Sequence, residues 1–279
     1  MYRYGYHENG WENSIELESK IIQNSLGKLE LSNCFLSWSD LKKNISDKKM
    51  EMFTEKNIVL LIEKRPLYFN MYYFIKKDAV IEDRVWTSLR EDISKYNDLT
   101  TNILLKGNNR LSEDIIKHLN FSLYKTYIRK SFVNSVEQPY RELMNVEFAR
   151  SKDAKEIYCL LYGSFDAKVS CLPSKEELME LIDKKWTLKI CINNEIAGVL
   201  LFEDFGKKSY ARVLCVKEEY RNNVIGYSLF AKYINMHINN IHLFYLWVDR
   251  DNREVLSLHD KFGYREDGLI DNIYIRKDK

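Results

Sequence analysis

Between residues 146 and 279 the spacing of apolar residues switches repeatedly from alternation to a helical period and back. VEFAR (146–150) reads as a strand, and AKEIYCLLYGSF (154–165) and KEELMELIDKK (175–185) set apolar residues at helical spacing. TLKICI (187–192), the turn residues NNE and IAGVLLFE (196–203) make a hairpin pattern, with YARVLCV (210–216) as a third strand. A loop follows, then a helix to about Met236, the strand LFYLWV (243–248), a helix over 253–261 and a last strand. The order predicts an α+β (mixed α/β) fold around a mostly antiparallel sheet.

The first half carries a similar pattern. NIVLLIEK (57–64) and LYFNMYYFIKK (67–77) are hairpin-like strands. GNNRLSEDIIKHLNF (107–121) aligns without gaps on RDNREVLSLHDKFGY (250–264), placing Asn109-Arg110 over Asn252-Arg253 and Phe121 over Tyr264. In both places an apolar strand precedes the Asn-Arg pair, and a short helix follows that ends at Asn120 or Gly263, residues that tolerate left-handed backbone. The next strands end in the same four letters, YIRK, at 127–130 and 274–277. The pattern predicts two duplicated domains, 1–135 and 145–279, joined through SFVNSVEQPYRELMN (131–145). The aromatic strand with Tyr68, Phe69, Tyr72, Tyr73 and Phe74 is expected to be buried on both faces rather than to wall a cleft.

Composition narrows the functional classes. The 279 residues are 45% hydrophobic, enough for a substantial core, and 43 basic residues balance 41 acidic ones without a one-signed stripe for nucleic acid or membrane. The five cysteines (Cys34, Cys159, Cys171, Cys191, Cys215) are scattered without metal-ligand spacing, so free thiols, no metal and a soluble cytoplasmic protein are expected. The N-terminus lacks the apolar centre of a signal peptide, and the longest apolar runs are too short to span a bilayer.

Candidate chemistry centres on EEYRNNVIGYSLF (218–230), between a strand and a helix. Such a loop holds a phosphate when its N–H groups converge and the helix dipole adds positive potential; otherwise it is a helix entry with Asn222 and Asn223 as turn residues. Arg221 supplies a permanent charge, and Gly226 lets the backbone come close. G-x-x-x-x-G-K-[ST], G-x-G-x-x-G, H-E-x-x-H and G-x-S-x-G are absent.

The order strand, V-x-x-x-Y-R-x-x-x-x-G, helix, strand, N-x-x-x-x-x-L-H-x-x-x-G-Y, strand resembles the acetyl-CoA-binding core of the GNAT superfamily of N-acetyltransferases. Arg221 and Gly226 match the family's R/Q-x-x-G-x-G/A loop, with Val224 replacing its first glycine. Asn252, Leu258 and Gly263 match its N-x-x-A-x-x-L-Y-x-x-x-G-F helix, with His259 in place of tyrosine. The resemblance implies acetyl-CoA as cosubstrate, held by the backbone at Cys215 and Val216 and by the amides of Arg221, Asn222, Asn223, Val224, Ile225, Gly226 and Tyr227. Val224 would narrow this cradle or, if its backbone keeps negative φ, point away. Asn252 would bond the pantetheine arm or simply cap its helix. His259 would donate to the departing sulfur or be structural. Glu203, Asp204, Glu218, Glu219 and Asp249 are base candidates for deprotonating a small-molecule or peptide amine. The first half has no glycine in VIEDRVWTSLREDI (80–93) and Ile116 at the position of His259, which implies a degenerate copy. Transfer of another acyl or aminoacyl group, and a silent ligand-binding protein, remain as alternatives. A homodimer is compatible with the reading; nucleic acid and membrane are not expected partners.

Overall fold

The computed structural model describes residues 22, 32–34, 36–55, 57–76, 79–106, 111–221 and 224–276. The repeat residues Asn109 and Arg110, the last letter of the second YIRK (Lys277), and the loop residues Asn222 and Asn223 lie outside the described residues. The chain forms two compact units, Met1–Thr126 with Ile270–Lys279, and Tyr127–Leu269.

The first unit contains helix α1 (Trp38–Ser46), strands β1 (Met50–Glu55), β2 (Ile58–Lys64) and β3 (Phe69–Ile75), helix α2 (Asp83–Asp92), strand β4 (Leu99–Lys106), helix α3 (Leu111–His118) and the start of β5 (Phe121–Val133). Its sheet runs β1-β2-β3-β4, with β4 then flanked by the last strand of the chain, β11 (Arg265–Arg276). The aromatic strand is buried on both faces, as its lack of polar alternation predicts. Met71, Tyr73 and Ile75 pack with Trp86 and Leu89 of α2, whereas Tyr72 and Phe74 pack with Leu41 of α1.

The second unit takes the rest of β5, then β6 (Glu147–Phe148), α4 (Ala154–Ser164), α5 (Lys175–Asp183), β7 (Thr187–Ile192), β8 (Glu195–Phe205), β9 (Lys208–Val216), α6 (Ile225–Asn235), β10 (Leu243–Asp249), α7 (Arg253–Lys261) and the start of β11. Its strands run β5-β10-β9-β8-β7-β6, antiparallel except for β9 with β10. Val199, Leu201, Val213 and Cys215 face α4 and α5 through Ile157, Leu161, Leu178 and Leu181. On the opposite face Phe202 and Phe244 meet Tyr233 of α6.

Two expectations change. Residues 131–133 are strand rather than linker, because Phe132 packs on Phe244 and Tyr264, each 5.8 Å away, and the main chain pairs with β10 as far as Leu243↔Val133. The two YIRK segments also part company. Tyr127–Lys130 belongs to the second unit, whereas Tyr274–Arg276 belongs to the first, where the Arg276 guanidinium donates to the carbonyls of Ile93, Ser94 and Tyr96. In each unit the strand beside the one preceding the last helix comes from the other half of the sequence. The turns after α3 and α7 are left-handed as expected, at Asn120 (φ 60°) and Gly263 (φ 81°).

Candidate active site

Strands β9 and β10 start together and then separate. Their parallel pairing covers Lys208–Ala211 against Leu243–Leu246 and stops there. The cause is a bulge: β8 pairs Phe202 with Ala211 but Leu201 with Val213, leaving Arg212 as an extra residue that bends β9. Beyond it β9 follows β8 to Val216, while β10 follows β5 to Asp249↔Tyr127. A wedge therefore opens between the two strands, and among the described residues no ladder pair joins β9 to β10 beyond Ala211, which leaves its backbone facing a ligand-sized gap.

At the mouth of the wedge a 3-10 turn, Glu218–Tyr220, leads through Arg221 into α6. The N–H groups of Ile225, Gly226 and Tyr227 precede the ladder bond from Ser228 N–H to the Val224 carbonyl, and no acidic side chain lies in this first turn. The N-cap, Val224, has φ 41° and ψ 5°, and its side chain is half exposed. The valine thus takes the left-handed backbone that glycine adopts most readily, and the escape through negative φ does not occur. Two residues later the packing is close: a Cβ on Gly226 would sit 3.3 Å from Leu258 Cδ2, so that side chain would have to give slightly, and in ordinary contact, 3.5 Å, with Leu214 Cδ2. A second close approach was not anticipated: a Cβ on Gly198 of β8 would lie 2.6 Å from Ile225 Cγ2 and 3.2 Å from the Cys215 carbonyl. A lone glycine inside a strand pattern was the available signal.

The remaining predicted residues fall into different environments. Cys215 is buried, its thiol raised by burial, and it faces the α4/α5 core. Val216 contacts the space above Gly226. Asn252 caps α7, its Oδ1 accepting from Val255 N–H at 3.2 Å. Glu218 is exposed. Glu203 accepts from Arg212 at 3.1 Å, and the same guanidinium donates to the Cys171 carbonyl at 2.9 Å. Asp204 is bound to His237 Nε2 at 3.1 Å; burial raises its carboxyl, but bonds from His237 and Ser209 outweigh this and leave it below the usual range.

His259 lies in the core, 3% exposed, with Phe230 and Tyr264 rings 5.1 and 5.8 Å away. Burial and then the charge of Lys130 push its imidazole down to about 3, so it is neutral near pH 7, and its buried Nδ1 has no partner. It cannot act as an imidazolium acid; as a neutral ring it keeps one N–H to donate.

Sequence reasoning passed over the α4/α5 face of the wedge. Glu203 and Tyr210 are cross-strand partners, Tyr210 stacks on Tyr245 at 5.1 Å, and Arg129 lies 5.7 Å over Tyr245. Tyr127, opposite Asp249, has its phenol pushed up to about 12 by burial. These residues come from four strands, β8, β9, β10 and β5, and only register brings them together.

The residues fit acetyl-CoA on two counts: among the described residues β9 leaves β10 after Ala211, and α6 opens with the N–H groups of its first turn beside Gly226, where a Cβ would come 3.3 Å from Leu258. Among the described residues no three metal-ligating side chains gather, and no helix is long and apolar enough to cross a membrane.

The acetyltransferase (GNAT) family model matches residues 153–264. No curated protein matches the chain. Solved structures similar in fold include a GCN5-related N-acetyltransferase from Sphaerobacter thermophilus (TM-score 0.58, 11% identity, 84% of each chain covered). An acetyltransferase of the GNAT family from Colwellia psychrerythraea covers 95% of this chain and 97% of its own (TM-score 0.53, 9% identity). A tandem GNAT protein from the clavulanic acid biosynthesis pathway covers 78% of each chain (TM-score 0.53, 11% identity). The bulged and splayed strands, the helix-entry loop and the matched sequence all fall in one segment, and residues 153–264 are a domain of the acetyltransferase (GNAT) family.

Proposed function

We propose that the second unit transfers an acetyl group from acetyl-CoA to a primary amine of a small molecule or peptide, by direct attack of the amine on the thioester. The observation that supports this most is the termination of β9–β10 pairing at Ala211/Leu246, beyond which β9 runs on alone with β8 to Val216 and the chain turns through Val224 into α6. Acetyl-CoA supplies an activated acyl group on a good leaving thiol. The chain's part is to bind and orient. The amides of Ile225, Gly226 and Tyr227, with Arg221, attract the pyrophosphate, and the backbone of β9 near Cys215 and Val216 lies along the arm.

The proton chemistry falls to fewer residues than the sequence offers. The attacking ammonium must lose a proton. Glu203 sits on the acceptor face of β8 but is paired with Arg212, so it works through that pair, either releasing Arg212 or passing the proton by water. Neutral His259 steadies the thiolate by one N–H hydrogen bond. The five scattered cysteines, none of them in a disulfide, favour the reducing cytoplasm as the place of action.

The test is calorimetry with acetyl-CoA followed by thiol-release assays across an amine panel. The expected result is saturable binding in the micromolar range and release with at least one amine. Failure to bind at high micromolar acetyl-CoA would sink the proposal. Binding without release on any amine would favour the silent reading, and release only with a longer acyl-CoA would favour another acyl group.

A further inference from the structure

The first unit repeats the wedge. Its parallel pair β3–β4 is in register at Phe69↔Leu99, Asn70↔Thr100 and Met71↔Thr101, and then stops, as β9–β10 does. This wedge holds a piece of the chain. Ser32 forms an antiparallel bridge with Phe74 of β3, beyond the point where β4 has left, and Ser32, Asn33 and Cys34 are all buried.

Asn33 is the centre of the insertion. Its Nδ2 donates to the Met71 carbonyl (3.1 Å), Thr101 Oγ1 (3.1 Å) and the Asn102 carbonyl (2.9 Å), and its Oδ1 accepts from the Tyr73 N–H (2.9 Å). A backbone N–H can only donate and a carbonyl only accept, so these contacts fix the orientation of the amide. Asparagine alone satisfies this set: aspartate has no donor, and leucine has neither donor nor acceptor. The side chain is 2% exposed and ties both arms of the wedge together.

We propose that Asn33 is a built-in occupant of the first unit's ligand slot, an amide of the chain's own that fills the place where an acyl-CoA arm would otherwise bond split strands. The first unit is therefore closed to acyl-CoA by its own backbone, and the chain takes up one acyl-CoA. A second observation points the same way. The helix that follows β3 opens with Glu82 as N-cap and Asp83 in its first turn, two negative charges where α6 has none.

The inference concerns the first unit, and its main test does not need the second unit to be active. Native-state hydrogen exchange is measured on the full chain for wild type, Asn33→Ala and Asn33→Asp, with and without molar acetamide. Loss of the buried acceptor is expected to speed exchange of the Tyr73 amide roughly tenfold to a hundredfold in Asn33→Ala. Asn33→Asp should be worse, because it sets a carboxylate against two carbonyls. Acetamide should restore protection in Asn33→Ala and leave wild type unchanged, which simple loss of packing would not do. Unchanged Tyr73 exchange in Asn33→Ala, or wild-type protection in Asn33→Asp, would overturn the proposal. So would two acetyl-CoA molecules bound per wild-type chain. No acetyl-CoA bound at all would refute the function proposed for the second unit, with the exchange result still deciding the role of Asn33.

Discussion

Val224→Gly tests the helix-entry loop directly. A non-glycine residue in left-handed backbone costs about 1–2 kcal/mol, with β-branched side chains at the upper end, and Val224 sits at φ 41°. Its side chain is 49% exposed, so removing it gives up little burial. Glycine adds back roughly 0.5–1 kcal/mol of unfolded-state freedom. The net expectation is a gain of about 0.5–1 kcal/mol, a rise in Tm of roughly 1–4 °C for a protein of this size. Acetyl-CoA should bind at least as tightly, since the position loses a side chain and keeps its backbone. Thermal melting and calorimetry on wild type, Val224→Gly and Val224→Ala measure this, with alanine expected to gain less because it still pays for positive φ. A Val224→Gly protein that melts below wild type, or that binds acetyl-CoA more weakly, would show that the valine contributes contacts the strain argument leaves out.

Gly198→Ala should lower stability by about 1–3 kcal/mol and weaken acetyl-CoA binding together, because the new methyl meets Ile225 and the backbone of Cys215; chemical denaturation with calorimetry checks both. His259 contributes a pH dependence whose sign is fixed. Its folded pKa, about 3, lies below the unfolded value near 6.5, so the stability of the neutral form is present above pH 6.5 and is lost as pH falls toward 3. The slope in that window is about 1.4 kcal/mol per pH unit, and it should be absent from His259→Phe when both proteins are melted between pH 4 and 7. The same variant should turn over more slowly with little loss of acetyl-CoA affinity, and unchanged turnover would remove the thiolate role. Arg276→Ala should cost roughly 2–4 kcal/mol in the first unit, read from Trp86 fluorescence on denaturation, because three backbone carbonyls lose a charged donor.

What the sequence made legible was local. The hairpin β7–β8, helix α7 and the turns at Asn120 and Gly263 follow from period and punctuation, and the loop before α6 follows from a motif. What stayed hidden was set by pairing over long separations. Nothing near Arg212 marks it as the extra residue of a bulge, since that depends on which residues of β8 it faces. Asn33 looks like a loop residue, and only the stop in β3–β4 pairing more than thirty positions later gives its amide four partners. His259 was read from its motif position, but its neutrality comes from burial and then from Lys130, supplied by a distant strand.

The strand exchange gives the closed first half a reason to persist. Sequence places a domain boundary at residue 145, yet a fragment of residues 145–279 lacks β5, which covers β10 along seven residue pairs from Leu243↔Val133 to Asp249↔Tyr127. It also lacks Phe132 on Phe244 and Tyr264, and Lys130, whose ammonium reaches Asp260 at 2.5 Å. An uncovered central strand with buried Phe244, Leu246 and Val248 on one face is an open edge for pairing with other copies. The fragment should therefore aggregate or melt well below the full chain by light scattering and circular dichroism, and adding residues 121–144 should recover much of its order. If residues 145–279 alone are monomeric and melt like the intact protein, β5 is not needed, and the first half must be explained by something other than the strand it lends.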